Sequence, residues 1–247
     1  MIKGLILALQ FFTRLPIKIN VDFSQNNLKR MFFFLPFVGL IFGACVAVIM
    51  QLKFESEITG VLAVLAYVLL GGSLHIDGLS DWVDGFAANA EKEKTLLIMS
   101  DPHIGTFGTI AIILDLLLRF VMYQAFCFNP LLLILPSVLA RTFVLYTISY
   151  GKPAKEKGLG QLFYNSISHF TFPIFFVLCV LGFGLLCFFG FVPLAFLSLP
   201  IINFIVIIIL LYHIQKKIGG TTGDTNGACV EILELINLLL CWFLYWV

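Results

Sequence analysis

The sequence predicts an all-α fold, a polytopic membrane bundle of about seven transmembrane helices with a polar site gathered on one face. Three observations carry that prediction. Hydrophobic residues fill 60% of the 247 positions and charged residues 12%, with a mean hydropathy of +1.04, far from the composition of a soluble domain. Apolar segments long enough to cross a bilayer run over residues 32 to 50, 58 to 76, 104 to 127, 131 to 150, 170 to 189, 194 to 214 and 228 to 247. Twelve of the fifteen Lys and Arg residues lie in the first thirty positions or in the loops around 92 to 94, 152 to 157 and 216 to 217, while Lys53 alone marks the opposite side. By the positive-inside rule those four regions are cytoplasmic, and an N-in start with seven crossings and an external C-terminus satisfies every loop. The expected location is the cytoplasmic (inner) membrane, multi-pass, with the polar face toward the cytoplasm.

Taken in order, the N-terminal MIKGLILALQFFTRLP has a basic residue and a short apolar stretch but no small-residue cleavage site, which predicts an interfacial helix kept in the chain. The first span carries a GxxxG at Gly39 and Gly43, suited to close helix packing or to a homo-oligomer. The second runs into HIDGLSDWVDGF. The third follows MSDPHIGTFG and holds Asp115 and Arg119, four apart and able to satisfy each other. Arg141 stands near the middle of the fourth without a local acid, so it must pair across helices or reach the cytoplasmic site. Gly190 and Pro193 divide the fifth span from the sixth, and GGTTGDTNGACVEILEL leads into the seventh. No repeat or linker interrupts the chain, which reads as one domain over residues 1 to 247. The six cysteines lie in or beside apolar runs with no CxxC pair, as packing residues and not disulfides or zinc ligands. The 27 phenylalanines are read as lipid-facing and packing residues. A net charge of +1 and the lack of a basic patch interleaved with aromatics give no reason to expect nucleic acid.

Against so little charge, Asp77, Asp81 and Asp84 stand out. On a helix they fall within about 60° of one another, so three carboxylates share one face. A solvated acidic helix end is the plainer reading; the chemical one is a site for a hard cation, Mg²⁺ or Mn²⁺, that relieves their repulsion. Asp101 and His103 precede Gly105 and Thr106, where a new helix starts, and backbone N–H groups beside glycines can receive a phosphate as readily as they can form a simple turn. Asp224, Gly227, Glu231 and Glu234 recur at helical spacing, and a charge at mid-bilayer costs about 2.5–3.5 kcal/mol, so these acids must face a cavity, a partner or the membrane surface. The loop YGKPAKEKGLGQLF adds Lys152, Lys155 and Lys157 with Gly158 and Gly160, which sets topology and can also contact phosphates. Carboxylates, a metal, glycine-rich turns and basic residues at a membrane surface suit chemistry on diphosphates. No GxSxG, Cys-His pair or GxxxxGK[ST] points instead to acyl transfer or P-loop hydrolysis.

FFTRLP, HIDGLSDWVDG, LLIMSDPHIGTFG, KGLGQLF and GGTTGDTNGACVEILEL resemble, in that order and over essentially the whole chain, the motifs of the cobalamin synthase family, the adenosylcobinamide-GDP ribazoletransferases. The resemblance implies an Mg²⁺-dependent membrane enzyme that joins adenosylcobinamide-GDP to α-ribazole or its 5′-phosphate and releases GMP. It also implies that Asp77, Asp81 and Asp84, with Asp101 or Asp224, hold the metal, and that Arg141 balances leaving-group charge. His103, Gly105, Thr106, Lys152, Lys157, Gly158, Gly160, Thr222, Gly223 and Glu231 complete the expected substrate contacts. Ser100 and His103 depart from the pattern, since the family commonly has arginines flanking this aspartate. A CDP-alcohol phosphotransferase fits poorly, because Leu79, Ser80 and Asp81 follow Gly78 where that family has an Ala-Arg pair. A membrane prenyltransferase with two facing acidic motifs is the alternative enzyme, and a cation-coupled transporter the alternative outside catalysis; the latter requires acids near mid-membrane and repeated halves.

Overall fold

The structure, a computed structural model, describes residues 1–52 and 54–246. Lys53, the basic residue assigned to the opposite side, and Val247, the end of the seventh predicted span, lie outside the described residues. Every named element among the described residues is a helix. The chain opens with α1 (Ile2–Phe12), which packs on α2 (Gln25–Phe32), and α2 meets α3 (Leu35–Ile49) at a bend of 48°. Pro36, in the first turn of α3, has no N–H to continue the preceding helix, which accounts for a break there.

The second predicted span is shorter than its hydropathy suggested. α4 (Ser56–Gly71) ends at Gly72, whose φ of 59° is left-handed, and Ser73 follows with a φ of 65°. Two successive left-handed residues cannot carry a right-handed helix, so the chain turns by 89° into α5 (Leu74–Ala87). The aspartates therefore do not prolong a span; they ride on a separate helix set nearly at right angles to it. The N-terminal segment braces this corner, with the Arg14 backbone N–H donating to the Leu70 carbonyl at 2.7 Å.

Downstream come α6 (Lys92–Ile98), α7 (Thr106–Ala125), α8 (Ile134–Tyr150), α9 (Leu159–Ser166), α10 (Thr171–Phe188), α11 (Leu199–Ile218) and α12 (Gly223–Trp246). Short 3-10 turns, Pro130–Leu133 and Leu194–Ser198, lead into α8 and α11. Among the described residues five helices are long and apolar enough to cross a membrane, or up to seven if each bent pair counts as one span, as in a polytopic bundle. α8 is the hub, packed by α3, α12, α10 and α11. A Cβ at Gly39 would lie 2.9 Å from the Val138 Cα, and one at Gly43 2.5 Å from the Ile134 Cα. The GxxxG stripe is thus taken up against α8 within the chain and is not left free for a homo-oligomer. Asn203 of α11 and Asn237 of α12 exchange amide hydrogen bonds at 2.7 and 2.8 Å, a polar tie between helices that otherwise present apolar side chains outward.

Candidate active site

α5 lies along the first turns of α12 and against α7. Gly78 permits this approach, since a Cβ there would come 2.7 Å from the Asp224 carbonyl oxygen. The contact brings Asp77 and Asp81 of α5 to the start of α12, where Asp224 sits. Together with Asp101, Ser80 and Ser100 they line one open cleft of about 780 Å³. Partial burial pushes the Asp81 carboxyl up to about 6, and the negative charges of Asp77, Asp224 and Asp84 add to the shift. Asp101 is displaced the other way: hydrogen bonds from the backbone N–H (2.9 Å) and ring (2.7 Å) of His103 hold it below the usual carboxylate range. His103 is itself almost fully exposed and turned to Asp101.

A second cleft, about 450 Å³, adjoins the first through Asp224 and is lined by Lys155, Lys157, Gly158, Gly160, Thr222 and Gly223 among others. Its two rims are held together by backbone pairing: Thr221 N–H donates to the Lys152 carbonyl at 2.7 Å and Ala154 N–H to the Thr221 carbonyl at 2.9 Å. Thr222 and Thr225 cap the start of α12 reciprocally, each hydroxyl accepting the other's backbone N–H at 3.1 and 2.8 Å. Lys155 Nζ donates to Ser100 Oγ at 2.8 Å, so the basic loop reaches the wall of the acidic cleft. Lys152 contributes its backbone to this arrangement and does not line the cleft. A third, largely apolar pocket of about 590 Å³ opens beside them, with Phe11, Phe12 and Phe163 in its wall. Asp224 lines all three spaces and Asp77 lines the acidic and apolar ones.

Several expected site residues do other work. Both oxygens of Asp84 accept backbone N–H bonds, from Gly105 at 2.7 Å and Gly108 at 2.8 Å. The N-terminus of α7, expected to receive a phosphate through Gly105 and Thr106, thus already holds an anion supplied by α5. Arg141 does not reach the cleft. Its guanidinium is fully buried, donating to Glu234 at 2.8 Å and stacked 4.1 Å from the centroid of the Phe42 ring. Glu231, expected among substrate contacts, is buried with an Arg119 ion pair and a Tyr67 hydroxyl at 3.0 Å. Asp115 pairs with Arg119 at 3.0 Å, as their spacing indicated. The same arginine lies 3.3 Å from Glu234, and Ser137 donates to that glutamate at 2.5 Å. These acids face partners because each arginine needs them: a guanidinium buried alone is far more costly than one paired.

Among the described residues, no three His, Cys, Asp or Glu side chains converge tightly enough to hold a cation unaided. The cleft offers carboxylate oxygen, the donor that suits Mg²⁺, an ion commonly bound by one or two carboxylates together with substrate phosphates. Sequence reasoning missed Phe11, Phe12 and His75 as cavity-lining residues, although FFTRLP was singled out. It missed Tyr67 entirely, for which an isolated tyrosine in an apolar span gave no signal.

The chain matches, over residues 4–242, the family described as Cobalamin-5-phosphate synthase. Curated relatives carry one name, adenosylcobinamide-GDP ribazoletransferase. The protein from Treponema denticola is 44% identical, covering 98% of each chain. That from Clostridium novyi is 36% identical over 96% of this chain and 95% of its own. A Clostridium kluyveri relative is 34% identical over 97% and 96%. No solved structure gives a significant match. A match running almost end to end, on a helical chain whose acidic, basic and apolar spaces meet at shared aspartates, leaves one assignment: the chain belongs to the cobalamin-5-phosphate synthase family.

Proposed function

We infer that this protein is an adenosylcobinamide-GDP ribazoletransferase acting late in cobalamin biosynthesis. It transfers the adenosylcobinamide-phosphate moiety to α-ribazole or α-ribazole 5′-phosphate and releases GMP. The observation that carries this reading is the convergence of the three spaces on Asp224, with Asp77 shared by the acidic and apolar ones, because the reaction must bring a diphosphate, a nucleotide leaving group and a nucleoside acceptor to one point. A ribose hydroxyl of the acceptor attacks the phosphorus bonded to cobinamide. As the new P–O bond forms, the P–O bond to the GMP phosphate breaks, and the hydroxyl proton passes to a carboxylate.

One or two of the Asp77, Asp81, Asp101 and Asp224 carboxylates, together with the substrate's phosphates, would hold Mg²⁺, which when bound would neutralise charge on the diphosphate. Asp77, shared between the acidic cleft and the apolar pocket, is suited to take the hydroxyl proton. Lys155 and Lys157, with the open left-handed backbone at Gly158 and the backbone at Gly160 packed on Thr221, contact the phosphate that leaves with guanosine. Asp84 keeps α5 on α7 and so fixes the direction in which Asp77 and Asp81 face. The active face is cytoplasmic: Lys155 bonds Ser100, and Lys217 donates to the Ala90 carbonyl at 2.7 Å, so the basic loops gather at the end that carries the aspartates.

The test is GMP release from adenosylcobinamide-GDP by purified protein in detergent, with and without α-ribazole 5′-phosphate and Mg²⁺. Release that requires both, with a cobalamin product, is the expected result. Intact substrates after incubation with folded protein would remove the reading.

A further inference from the structure

We propose that the apolar pocket between α1, α5, α8, α9 and the start of α12 receives the flat base of the ribazole acceptor and so determines which base is accepted. The inference rests on the ribazoletransferase reading and assigns one part of that site. The pocket is walled by aromatic side chains in mutual contact. The rings of Phe11 and Phe163 meet edge to face at 5.4 Å, and those of Phe11 and Phe12 at 4.9 Å. The Phe12 ring lies 6.0 Å from that of His75. Val144, Ile148 and Val230 complete the apolar lining. Such a wall gains most from burying another flat ring, whose edge and faces can meet the existing quadrupoles.

Polarity in this pocket is confined to a few groups, chiefly Asp77, Asp224, His75 and Asn226, and among the described residues no lysine or arginine lines it. The guanine nucleotide, whose phosphates need cationic partners, finds them in the lysine-lined cleft instead. A corrin ring with its fringe of amides is too polar for a phenylalanine lining. Ribazole is a ribonucleoside of a dimethyl-substituted benzimidazole. Its base presents an apolar ring to the phenylalanines while its ribose hydroxyls fall toward Asp77 and Asp224, on the side shared with the acidic cleft. The same residues that bury the base thereby bring the attacking hydroxyl to the diphosphate.

Calorimetric binding of α-ribazole to the full chain in detergent, wild type against Phe11→Ala, tests the assignment; Phe11 is only partly buried at the edge of the core it packs against, so its loss disturbs the fold less than loss of the buried Phe12 or Phe163. The dissociation constant for α-ribazole should rise about tenfold, the equivalent of one aromatic contact, while that for adenosylcobinamide-GDP stays unchanged. Leu74→Trp, which adds bulk at a partly exposed wall position, should likewise weaken α-ribazole alone. The wild-type preference for the dimethylbenzimidazole riboside over a purine riboside should shrink in both variants. Unchanged α-ribazole binding in both variants would overturn the proposal, as would weakening confined to adenosylcobinamide-GDP. Binding needs no turnover, so the two readings fail separately. Phe11-dependent binding without GMP release would remove the transferase reading and keep the pocket, and normal transfer with an unaltered acceptor KM in Phe11→Ala would do the reverse.

Discussion

Two sets of carboxylates lie in this chain with opposite surroundings. Asp115, Glu231 and Glu234 are buried inside the bundle, where Arg119 and Arg141 pair with them and the hydroxyls of Tyr67 and Ser137 add hydrogen bonds. Asp77, Asp81, Asp101 and Asp224 line an open cleft in which, among the described residues, no lysine or arginine takes part in the lining. In the first set two guanidiniums offset most of the charge of the three carboxylates and tie α7, α8 and α12 together. The second meets a protein cation at its edge, where Lys155 bonds Ser100 and shares the neighbouring cleft with Asp224, and most of its charge is available to something that arrives. Similar side chains thus serve cohesion in one place and chemistry in the other, according to whether the fold supplies the countercharge.

The contrast breaks most plainly at Arg119. Arg119→Met strands Asp115 and Glu231 without their cation, and should cost about 3–5 kcal/mol of stability. Denaturant unfolding in detergent would measure it, and a loss below about 1 kcal/mol would mean that the buried set is not cohesive in the sense argued. Asp81→Asn should do the opposite. We expect a folded protein with an unfolding midpoint at or above that of the wild type, and a fall of about 10²–10³ in kcat for GMP release. Retention of most activity would remove Asp81 from the chemistry.

Asp84 joins the two classes, being an acid of the catalytic helix satisfied by a helix end. Asp84→Ala should cost about 1–2 kcal/mol through the lost charged cap, with fraying of the first turn of α7 seen as faster amide exchange at Gly105 and Gly108. Unaltered exchange there would show that the cap is dispensable. The smallest effect is one of pH. Burial first, and the neighbouring carboxylates second, raise Asp81 in the folded protein from 3.8 to about 6. The fold therefore binds a proton more tightly than the unfolded chain, so the contribution of this group to stability is fully present below 3.8 and is lost as pH rises through about 6. Metal-free protein should show a slightly higher thermal midpoint at the acidic end of that window, and Mg²⁺ should stabilise more above it, where proton and cation no longer compete. A midpoint shift by Mg²⁺ that is independent of pH would separate Asp81 from the metal.

Much of the fold was legible because hydropathy records burial in lipid directly. The predicted spans 131 to 150 and 170 to 189 differ from Pro130–Tyr150 and Thr171–Phe188 by no more than a residue at either end. Hydropathy carries no information on direction, however, and the corner at Gly72 and Ser73 was hidden inside a continuous apolar run. The acidic cleft was legible in composition, since Asp77, Asp81, Asp101 and Asp224 were all singled out. Their separation from Asp84 was not, because nothing in local spacing shows that an α7 end 21 residues away lacks a cap. The burial of Arg141 and Glu231 away from the cleft was hidden for the same reason. The partner of Arg141 lies 93 residues along the chain, and that of Glu231 112 residues away, distances at which sequence spacing is silent.

Three of the contacts described above close on one another. Asp84 fastens α5 to the first turn of α7, the Arg119 ion pair with Glu231 fastens the middle of α7 to α12, and Gly78 seats α5 on the first turn of α12. Three rods joined pairwise form a triangle, and a triangle has no soft mode of shear. The separation between Asp81 on one rod and Asp224 on another is therefore set in part by the joints at Asp84 and Arg119, which lie outside the cleft, so the reacting edge is braced from the bundle interior.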